Sequence, residues 1–142
     1  MKKVFLFAAI AFAGLTITSC SSDDDGGGAS IEGKWYYSEE GLSSGGQEVL
    51  QDYTDHEAGC EKDYIEFVEG GVFRDVDFFN GECEFDTETS TWTRNGNTLT
   101  IGTGTDAESG TIATLSGSTL KITVSETLEG QTFNYVSVYT RE

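Results

Sequence analysis

Side chains able to do covalent or metal chemistry are few in this 142-residue sequence, which contains three cysteines and one histidine. His56 stands among the carboxylates of residues 52–57, where a metal ion could collect ligands, but the spacing matches no known metal-site pattern. We therefore expect His56 to lie in a solvated loop, and we expect neither a metal nor another cofactor. Pairs of carboxylates such as Asp75 and Asp77 are unavoidable among 25 acidic residues and do not indicate a glycosidase. The sequence predicts a protein that is not an enzyme.

Cys20 is placed for a different chemistry, the attachment of lipid to its sulfur and its amine. A basic pair at residues 2–3 precedes an apolar run over residues 4–17, and residues 18–19 are small, as in an export signal. Residues 17–20, Ile-Thr-Ser-Cys, resemble the lipobox of bacterial lipoproteins. This resemblance implies cleavage after residue 19 and a lipid anchor on Cys20. The alternative is an ordinary export signal beside an unrelated cysteine.

The residues after Cys20 bear on where the protein is located. Residues 21–25, Ser-Ser-Asp-Asp-Asp, resemble the acidic tag with which some Gram-negative bacteria send lipoproteins to the outer face of the outer membrane. A short acidic run is also a common solvated tether. We expect a protein anchored in the outer membrane and exposed at the cell surface, with the periplasmic face as the alternative.

The chain divides into three segments and carries a strong negative charge. We expect a signal peptide over residues 1–19, an acidic and glycine-rich tether over residues 20–30, and one folded domain over residues 31–142. Loss of the signal peptide removes two basic residues and no acidic ones, so the formal charge changes from −17 to −19. Such a charge repels phosphate backbones and excludes nucleic acid as a partner. The lipid is therefore the expected contact with the membrane. We also expect the protein to be a monomer.

The two remaining cysteines predict a disulfide. With Cys20 assigned to lipid, Cys60 and Cys83 form an even pair in an oxidising compartment. Gly70-Gly71 predicts a hairpin turn between two strands. Cys60 lies ten residues before that turn and Cys83 twelve residues after it, so pairing of the two strands brings both cysteines to the open end of the hairpin.

The elements that must position these residues are β-strands. Segments rich in Thr, Val, Ile and aromatic residues alternate with short Gly and Asn turns, such as Asn95-Gly96, which make sequential strands antiparallel neighbours. Apolar residues recur at every second position, as in Leu120, Ile122 and Val124, which puts one face in a core. Closure of such a meander removes its exposed edges, so we predict an all-β, eight-stranded antiparallel up-and-down barrel. The predicted strands are Gly33–Ser38, Asp63–Glu69, Val72–Asn80, Thr87–Arg94, Asn97–Thr103, Gly110–Ser116, Ser118–Glu126 and Thr132–Arg141.

Three stretches together suggest a family. The Gly33-Lys34-Trp35 tripeptide, the hairpin over residues 60–73 and the hairpin over residues 91–101 are similar to the bacterial lipocalin-like domain. The similarity covers residues 31–142 and implies an up-and-down β-barrel, commonly carried by lipid-anchored exported proteins. It also implies that Arg141, at the end of the last predicted strand, stacks on Trp35 and closes one end of the barrel. The alternative is an exposed C-terminal Arg141.

A ligand site is expected at the other end of the barrel. Eight strands enclose an interior that side chains fill or that holds one small ligand, and the large aromatic residues favour filling. Within the long connection over residues 39–62, Val49, Leu50 and Tyr53 share one helical face, which predicts a short helix acting as a lid or as a plug. We expect a small apolar or amphipathic ligand at the open end; the alternative is a non-enzymatic interaction module that binds a protein or glycan partner. The residues expected to contact a ligand are Trp35, Tyr37, Val49, Leu50, Tyr53, Phe67, Phe73 and Trp92.

Overall fold

Antiparallel β-strands make up most of the structure, a computed structural model that describes residues 28–128 and 130–141. A short 3₁₀ turn at Gly104–Asp106 separates two of the strands. The strands are β1 Gly33–Ser44, β2 Gln47–Asp52, β3 Tyr64–Val68, β4 Val72–Phe79, β5 Glu84–Asn95, β6 Thr98–Ile101, β7 Glu108–Leu115, β8 Thr119–Leu128 and β9 Gln131–Thr140.

Strands β1 and β3 to β9 close into a barrel. Each strand from β3 to β8 pairs antiparallel with the next one along the chain. β1 completes the ring, because it pairs with β3 through residues 33–36 and with β9 through residues 36–43. The predicted eight-stranded antiparallel up-and-down barrel is therefore confirmed, and closure removes the free edges of its sheet.

β2 is an additional strand, and it contradicts one prediction. It pairs with the end of β1 across a turn at Gly45-Gly46, whose φ angles of +60° and +82° suit a two-residue hairpin. The predicted helix with Val49, Leu50 and Tyr53 on one face is wrong. Side chains alternate along a strand, so Val49 and Leu50 point to opposite faces of the sheet.

Gly41 allows β2 to fold over the outer face of β1. A Cβ atom at Gly41 would lie 1.9 Å from the Val49 carbonyl oxygen, so the backbone of β2 passes where a side chain would stand. The Lys121 ammonium on β8 donates a hydrogen bond to the Glu48 carboxylate on β2, which draws β2 toward this outer side. β2 pairs with residues 39–44 of β1, beyond the part of β1 that pairs with β3, and Leu42 in that part of β1 is 47% exposed.

Large apolar side chains fill the interior of the barrel. Trp35, Phe67 and Leu120 have no exposed surface, and burial of each such side chain stabilises the fold by about 2 kcal/mol. Phe67 packs on Phe73 with ring centroids 5.4 Å apart. The described core consists of Ile31, Trp35, Ile65, Phe67, Phe73, Leu99, Ile112, Leu120, Ile122 and Tyr139.

One end of the barrel is closed by Trp35 and Arg141. The Arg141 guanidinium carbon lies 3.8 Å from the centre of the Trp35 ring. Arg141 Nη2 donates a hydrogen bond of 2.7 Å to the Glu32 carbonyl oxygen, and Trp35 Nε1 donates one of 2.7 Å to the carbonyl oxygen of Ile31. This closed end ties together the start of β1 and the residue that follows β9.

A disulfide joins Cys60 to Cys83, with their Cα atoms 5.3 Å apart. It links the segment between β2 and β3 to the turn between β4 and β5. The predicted pairing is confirmed, and so is the hairpin register that brings these cysteines together.

The predicted signal peptide, Cys20 and most of the predicted tether lie outside the described residues. Within residues 28–128 and 130–141, no helix is long and apolar enough to cross a membrane.

Candidate functional site

The open end of the barrel lies opposite the Trp35–Arg141 stack, and three tyrosines form the upper boundary of the packed interior. Tyr37 stacks on Tyr53 with ring centroids 4.8 Å apart, and it packs against Tyr139 at 4.9 Å. The Tyr37 hydroxyl donates to the Asp75 carboxylate, whose two oxygens lie 2.9 and 3.0 Å away. Burial raises the pKa of Tyr37 well above its usual value, so the phenol keeps its proton and remains a donor.

The segment over residues 53–62 covers part of this tyrosine layer. The Tyr53 amide donates to the Ser38 carbonyl oxygen at 2.8 Å, and the Tyr53 hydroxyl donates to Asp63 at 3.1 Å. The Cys60–Cys83 disulfide holds the far end of the segment. Residues 53–62 are thus fastened at both ends beside β1 and β3.

His56 is a structural residue of the same segment. The Asp63 amide donates to His56 Nδ1 at 3.1 Å, which places the ring proton on Nε2, and Nε2 lies 3.0 Å from the Tyr37 carbonyl oxygen that accepts it. His56 lies in a loop, as expected, but its side chain is only 22% exposed because these bonds hold the ring against the tyrosine layer. Within the described residues, no group of three or more His, Cys, Asp and Glu side chains is arranged to hold a metal ion.

Asp63 is a buried carboxylate with its oxygens occupied. The Phe78 amide donates to its Oδ1 at 2.8 Å, and the Tyr53 hydroxyl donates to its Oδ2. Such bonds offset the cost of burying a charged group. Asp63 therefore fastens the start of β3 to the end of β4.

Asp75 and Asp77 follow Phe73 at two-residue intervals on β4, so they share its inward face. Burial, together with the Asp77 and Glu88 carboxylates, raises the pKa of Asp75 to about 7, although the Tyr37 hydrogen bond lowers it. Burial and the nearby carboxylates of Asp63 and Glu88 also raise the pKa of Asp77. This side of the open end is strongly acidic.

The lysines and arginines that form ion pairs form them away from Asp75 and Asp77. Lys34 contacts Glu61 at 3.0 Å, and Arg74 contacts Glu66 at 2.9 Å. Lys121 pairs with Glu48 on the outer side of the barrel. Among the ion pairs recorded in the described residues, none joins a lysine or arginine to Asp75 or Asp77.

Apolar side chains occupy the opposite side of the open end. By register, Leu42 on β1 stands beside Tyr135 on β9, which stands beside Val124 on β8. Tyr135 shares the face of Tyr139, and Val124 packs against the core, so this inner apolar row continues the barrel lining. Leu42 is 47% exposed and Tyr135 46% exposed. Val49, the partner of Leu42 on β2, is 74% exposed at the edge of the row.

Two concavities lie at different places on the barrel. The first, of about 220 Å³, lies on the β1–β2 hairpin and is lined by Gly41, Leu42, Val49, Leu50 and Gln51. The second, of about 750 Å³, is a widely open depression at the closed end, beside Ile31 and Trp92. The first adjoins the inner apolar row, whereas the second lies at the opposite end of the barrel.

Several residues expected to contact a ligand are placed elsewhere. Trp35 and Phe67 have no exposed surface, and Phe73 is 8% exposed, so the expectation that they contact a ligand is corrected. The physical reason is volume, since these side chains fill the small interior themselves. Trp92 donates from Nε1 to the Val68 carbonyl oxygen at 3.0 Å and borders the closed end.

The other four expected contacts lie at the open end or on the β1–β2 hairpin. Tyr37 and Tyr53 form the tyrosine layer, where they stack on each other. Val49 is exposed beside Leu42, whereas Leu50 stands opposite Gly41 on the other face of β2.

Residues of the open end that sequence reasoning missed are Leu42, Tyr135, Asp63 and Asp75. The two-residue spacing from Phe73 to Asp75 was a usable signal that Asp75 faces inward. No such signal marked Leu42, because it lies within the connection predicted over residues 39–62.

The spacing Gly41-x-Ser43-x-Gly45 matches the glycine–serine pattern of a nucleophile elbow. That pattern needs a strand, a sharp turn and a helix. Here Ser43 lies near the end of β1 and is followed by the hairpin to β2. His56, which could serve as a base, bonds instead to Tyr37 and Asp63.

Comparisons with known proteins agree with this architecture. A solved lipocalin-like protein from Bacteroides uniformis is similar with a TM-score of 0.54 at 13% identity, covering 79% of this chain and 98% of that chain. An uncharacterized protein from Bacteroides eggerthii gives a TM-score of 0.52 at 13% identity, covering 79% and 100%. Lobster apocrustacyanin A1 gives 0.50 at 12% identity, covering 78% and 60%. At such low identity, these similarities show the fold alone.

A comparison with curated proteins finds no match. A family model described as the lipocalin-like domain matches residues 31–122, which is more than half of the sequence. The chain therefore belongs to the lipocalin-like domain family.

Proposed function

We propose that this protein binds a small apolar or amphipathic molecule at the open end of its barrel, above the filled interior. The observation that carries the proposal is the inner apolar row, in which Leu42 and Tyr135 are about half exposed although they continue the lining of the core. Exposed apolar side chains that adjoin one another commonly mark a binding surface. The protein acts by binding and does not catalyse a reaction.

The tyrosine layer sets the depth of the proposed site. Tyr37, Tyr53 and Tyr139 pack together below the row, and the Tyr37 hydroxyl donates a hydrogen bond to Asp75. A ligand that entered more deeply would have to break this layer and displace buried side chains. The proposed site is therefore shallow, and it leaves part of the ligand in contact with solvent.

Binding of the neutral fluorescent probe N-phenyl-1-naphthylamine tests this proposal. We expect Leu42→Asn to weaken probe binding about tenfold, because it places an amide in the centre of the row. Phe85→Ser is the matched control, since Phe85 is 63% exposed on the other side of the barrel wall. Equal probe affinity in Leu42→Asn and the unmodified protein would contradict the proposed site.

The proposed location is the outer membrane, with a lipid on Cys20 as anchor and with the domain exposed at the cell surface. The export-like residues 2–19, the Ile-Thr-Ser-Cys sequence and the acidic run after it support this proposal. The periplasmic face is the alternative location. Protease treatment of intact cells separates the two, because only a surface-exposed domain is digested.

A second candidate function is supported by an aromatic row on the outside of the barrel. The rings of Tyr36 and Tyr64 lie 6.0 Å apart, Tyr64 and Phe78 lie 6.5 Å apart, and Phe78 and Phe85 lie 5.8 Å apart. Aromatic side chains of this kind are enriched in interfaces. This outer aromatic row would suit a protein or glycan partner, and Phe85→Ser would then abolish capture of that partner while Leu42→Asn would not.

A further inference from the structure

We propose that the molecule bound at the open end is a cationic amphiphile, whose apolar tail covers the inner apolar row and whose ammonium group faces the carboxylates of β1, β4 and β5. This inference rests on the proposed function, and it names the chemical class of the ligand. An exposed apolar row occurs at the same end of the barrel as carboxylates that have no recorded ion pair with a lysine or arginine of the described residues.

The position of the tail follows from the row itself. Leu42, Tyr135 and Val124 are cross-strand neighbours on β1, β9 and β8, with Val49 beside Leu42. Since neighbouring strands lie about 4.8 Å apart, such a row offers a continuous apolar track roughly 10–15 Å long. This length matches an alkyl chain or a pair of fused rings.

The charge of the head group follows from the acids next to the row. Glu40 precedes Leu42 by two residues on β1 and pairs with Ser137, so it lies on the inner face, where its charge acts on Tyr139. Across the barrel, Asp75 on β4 lies opposite Glu88 on β5 in the strand register, and Asp77 follows Asp75 on the same face of β4. The hydrogen bond from Tyr37 to Asp75 links the two sides, so β1 and β4 face each other across one tyrosine side chain.

These carboxylates favour a positively charged ligand. The lysines and arginines that form ion pairs in the described chain have their partners on other surfaces, so those ion pairs do not neutralise the acids of the open end. Lys34, Arg74 and Lys121 bind Glu61, Glu66 and Glu48, respectively. Mutual repulsion of the carboxylates contributes to the raised pKa values of Asp75 and Asp77. A bound ammonium group would relieve that repulsion, whereas a fatty-acid carboxylate would add to it.

Three amphiphiles with the same ten-carbon tail test the inference: decyltrimethylammonium, decyl maltoside and decanoate. Each is titrated below its critical micelle concentration at low salt into the full chain carrying Cys20→Ser, which removes the proposed lipid, and backbone amide shifts are followed. We expect decyltrimethylammonium to bind roughly tenfold more tightly than decyl maltoside, and decanoate to bind more weakly than both. Added salt should reduce these differences.

A charge-removing variant assigns the effect to the open end. Asp77→Asn should weaken binding of decyltrimethylammonium severalfold and leave binding of decyl maltoside unchanged. Glu69→Gln is the matched control, because it removes the same charge from the exposed turn between β3 and β4.

The outcomes separate this inference from the proposed function. Equal affinities for decyltrimethylammonium and decyl maltoside, with shifts at Leu42 and Tyr135, would overturn the cationic head group while supporting the site. An equal loss of cation affinity in Glu69→Gln and Asp77→Asn would also overturn it, because the effect would then reflect net charge. If none of the three amphiphiles shifted Leu42 or Tyr135, both proposals would fail.

Discussion

At the scale of single residues, Asp75 is a largely buried acid of the open end. Its side chain faces the inside of the barrel, and its recorded hydrogen bonds are donated by the Tyr37 hydroxyl. Burial and neighbouring acids raise its pKa from 3.8 to about 7. The folded protein therefore binds more protons than the unfolded chain between about pH 4 and pH 7. The stability that Asp75 contributes is fully present below pH 4 and is lost as the pH rises through 7.

This linkage predicts that the free energy of unfolding falls from pH 4.5 to pH 8. The share of Asp75 is on the order of 3–4 kcal/mol if its pKa shift is realised in full. Urea denaturation at both pH values should show a clearly smaller fall in Asp75→Asn, which cannot ionise, than in Asp106→Asn, an exposed control in the 3₁₀ turn before β7. Equal falls in the two variants would show that Asp75 is not the titrating group.

Arg141 carries the second residue-scale prediction. Its guanidinium stacks on Trp35 and bonds to the carbonyl oxygen of Glu32, so Arg141→Ala removes a contact that closes the barrel. We expect a loss of about 1–2 kcal/mol in the free energy of unfolding, measured by urea denaturation. Arg74→Ala, which removes an exposed ion pair with Glu66, should cost less than about 1 kcal/mol. A loss of only a few tenths for Arg141→Ala would show that the stack contributes little.

At the scale of elements, the segment between β2 and β3 is held by the disulfide that joins it to the turn after β4. The Cys60→Ser/Cys83→Ser double variant should lose about 3 kcal/mol in the free energy of unfolding, because the bridge closes a loop with a sequence separation of 23 residues. Limited proteolysis should then cut within residues 53–62 before any barrel strand. Cleavage at the same rate in both forms would show that Tyr53 and His56 hold the segment without the bridge.

The strands were largely predictable from the sequence, and the β1–β2 hairpin was not. Two-residue alternation and explicit turns such as Asn95-Gly96 mark strands locally, so the eight barrel strands were found. Residues 47–53 are compatible with both a helical and an extended period. Their conformation is decided by pairing with β1 and by the bare backbone of Gly41, which are contacts that a local pattern does not record.

At the scale of the whole molecule, the filled interior restricts the proposed ligand to the rim of the barrel. Sequence reasoning indicated correctly that aromatic side chains crowd the interior, yet it also assigned ligand contacts to Trp35 and Phe67, which that crowding buries. The open end was harder to predict because Leu42, Tyr135 and Asp75 come from distant parts of the chain and meet only when β1 pairs with β9 and faces β4.

The proposed lipid anchor also concerns the whole molecule. In cells fed an alkyne-bearing fatty acid, the unmodified protein should take up the label and sediment with membranes, whereas Cys20→Ala should do neither. Cys60→Ser/Cys83→Ser serves as the control, since it also removes sulfur but leaves the proposed lipid site intact. Labelling of Cys20→Ala would place the lipid elsewhere.

We propose that a ligand lies on the inner apolar row and does not enter the barrel. Nuclear Overhauser effects between the alkyl protons of bound decyl maltoside and the protein test it most directly, because they report which side chains touch the tail. We expect contacts with Leu42, Tyr135 and Val124. Contacts with Trp35, Phe67 or Leu120 would contradict it, since they would mean that the packed interior opens to receive the ligand.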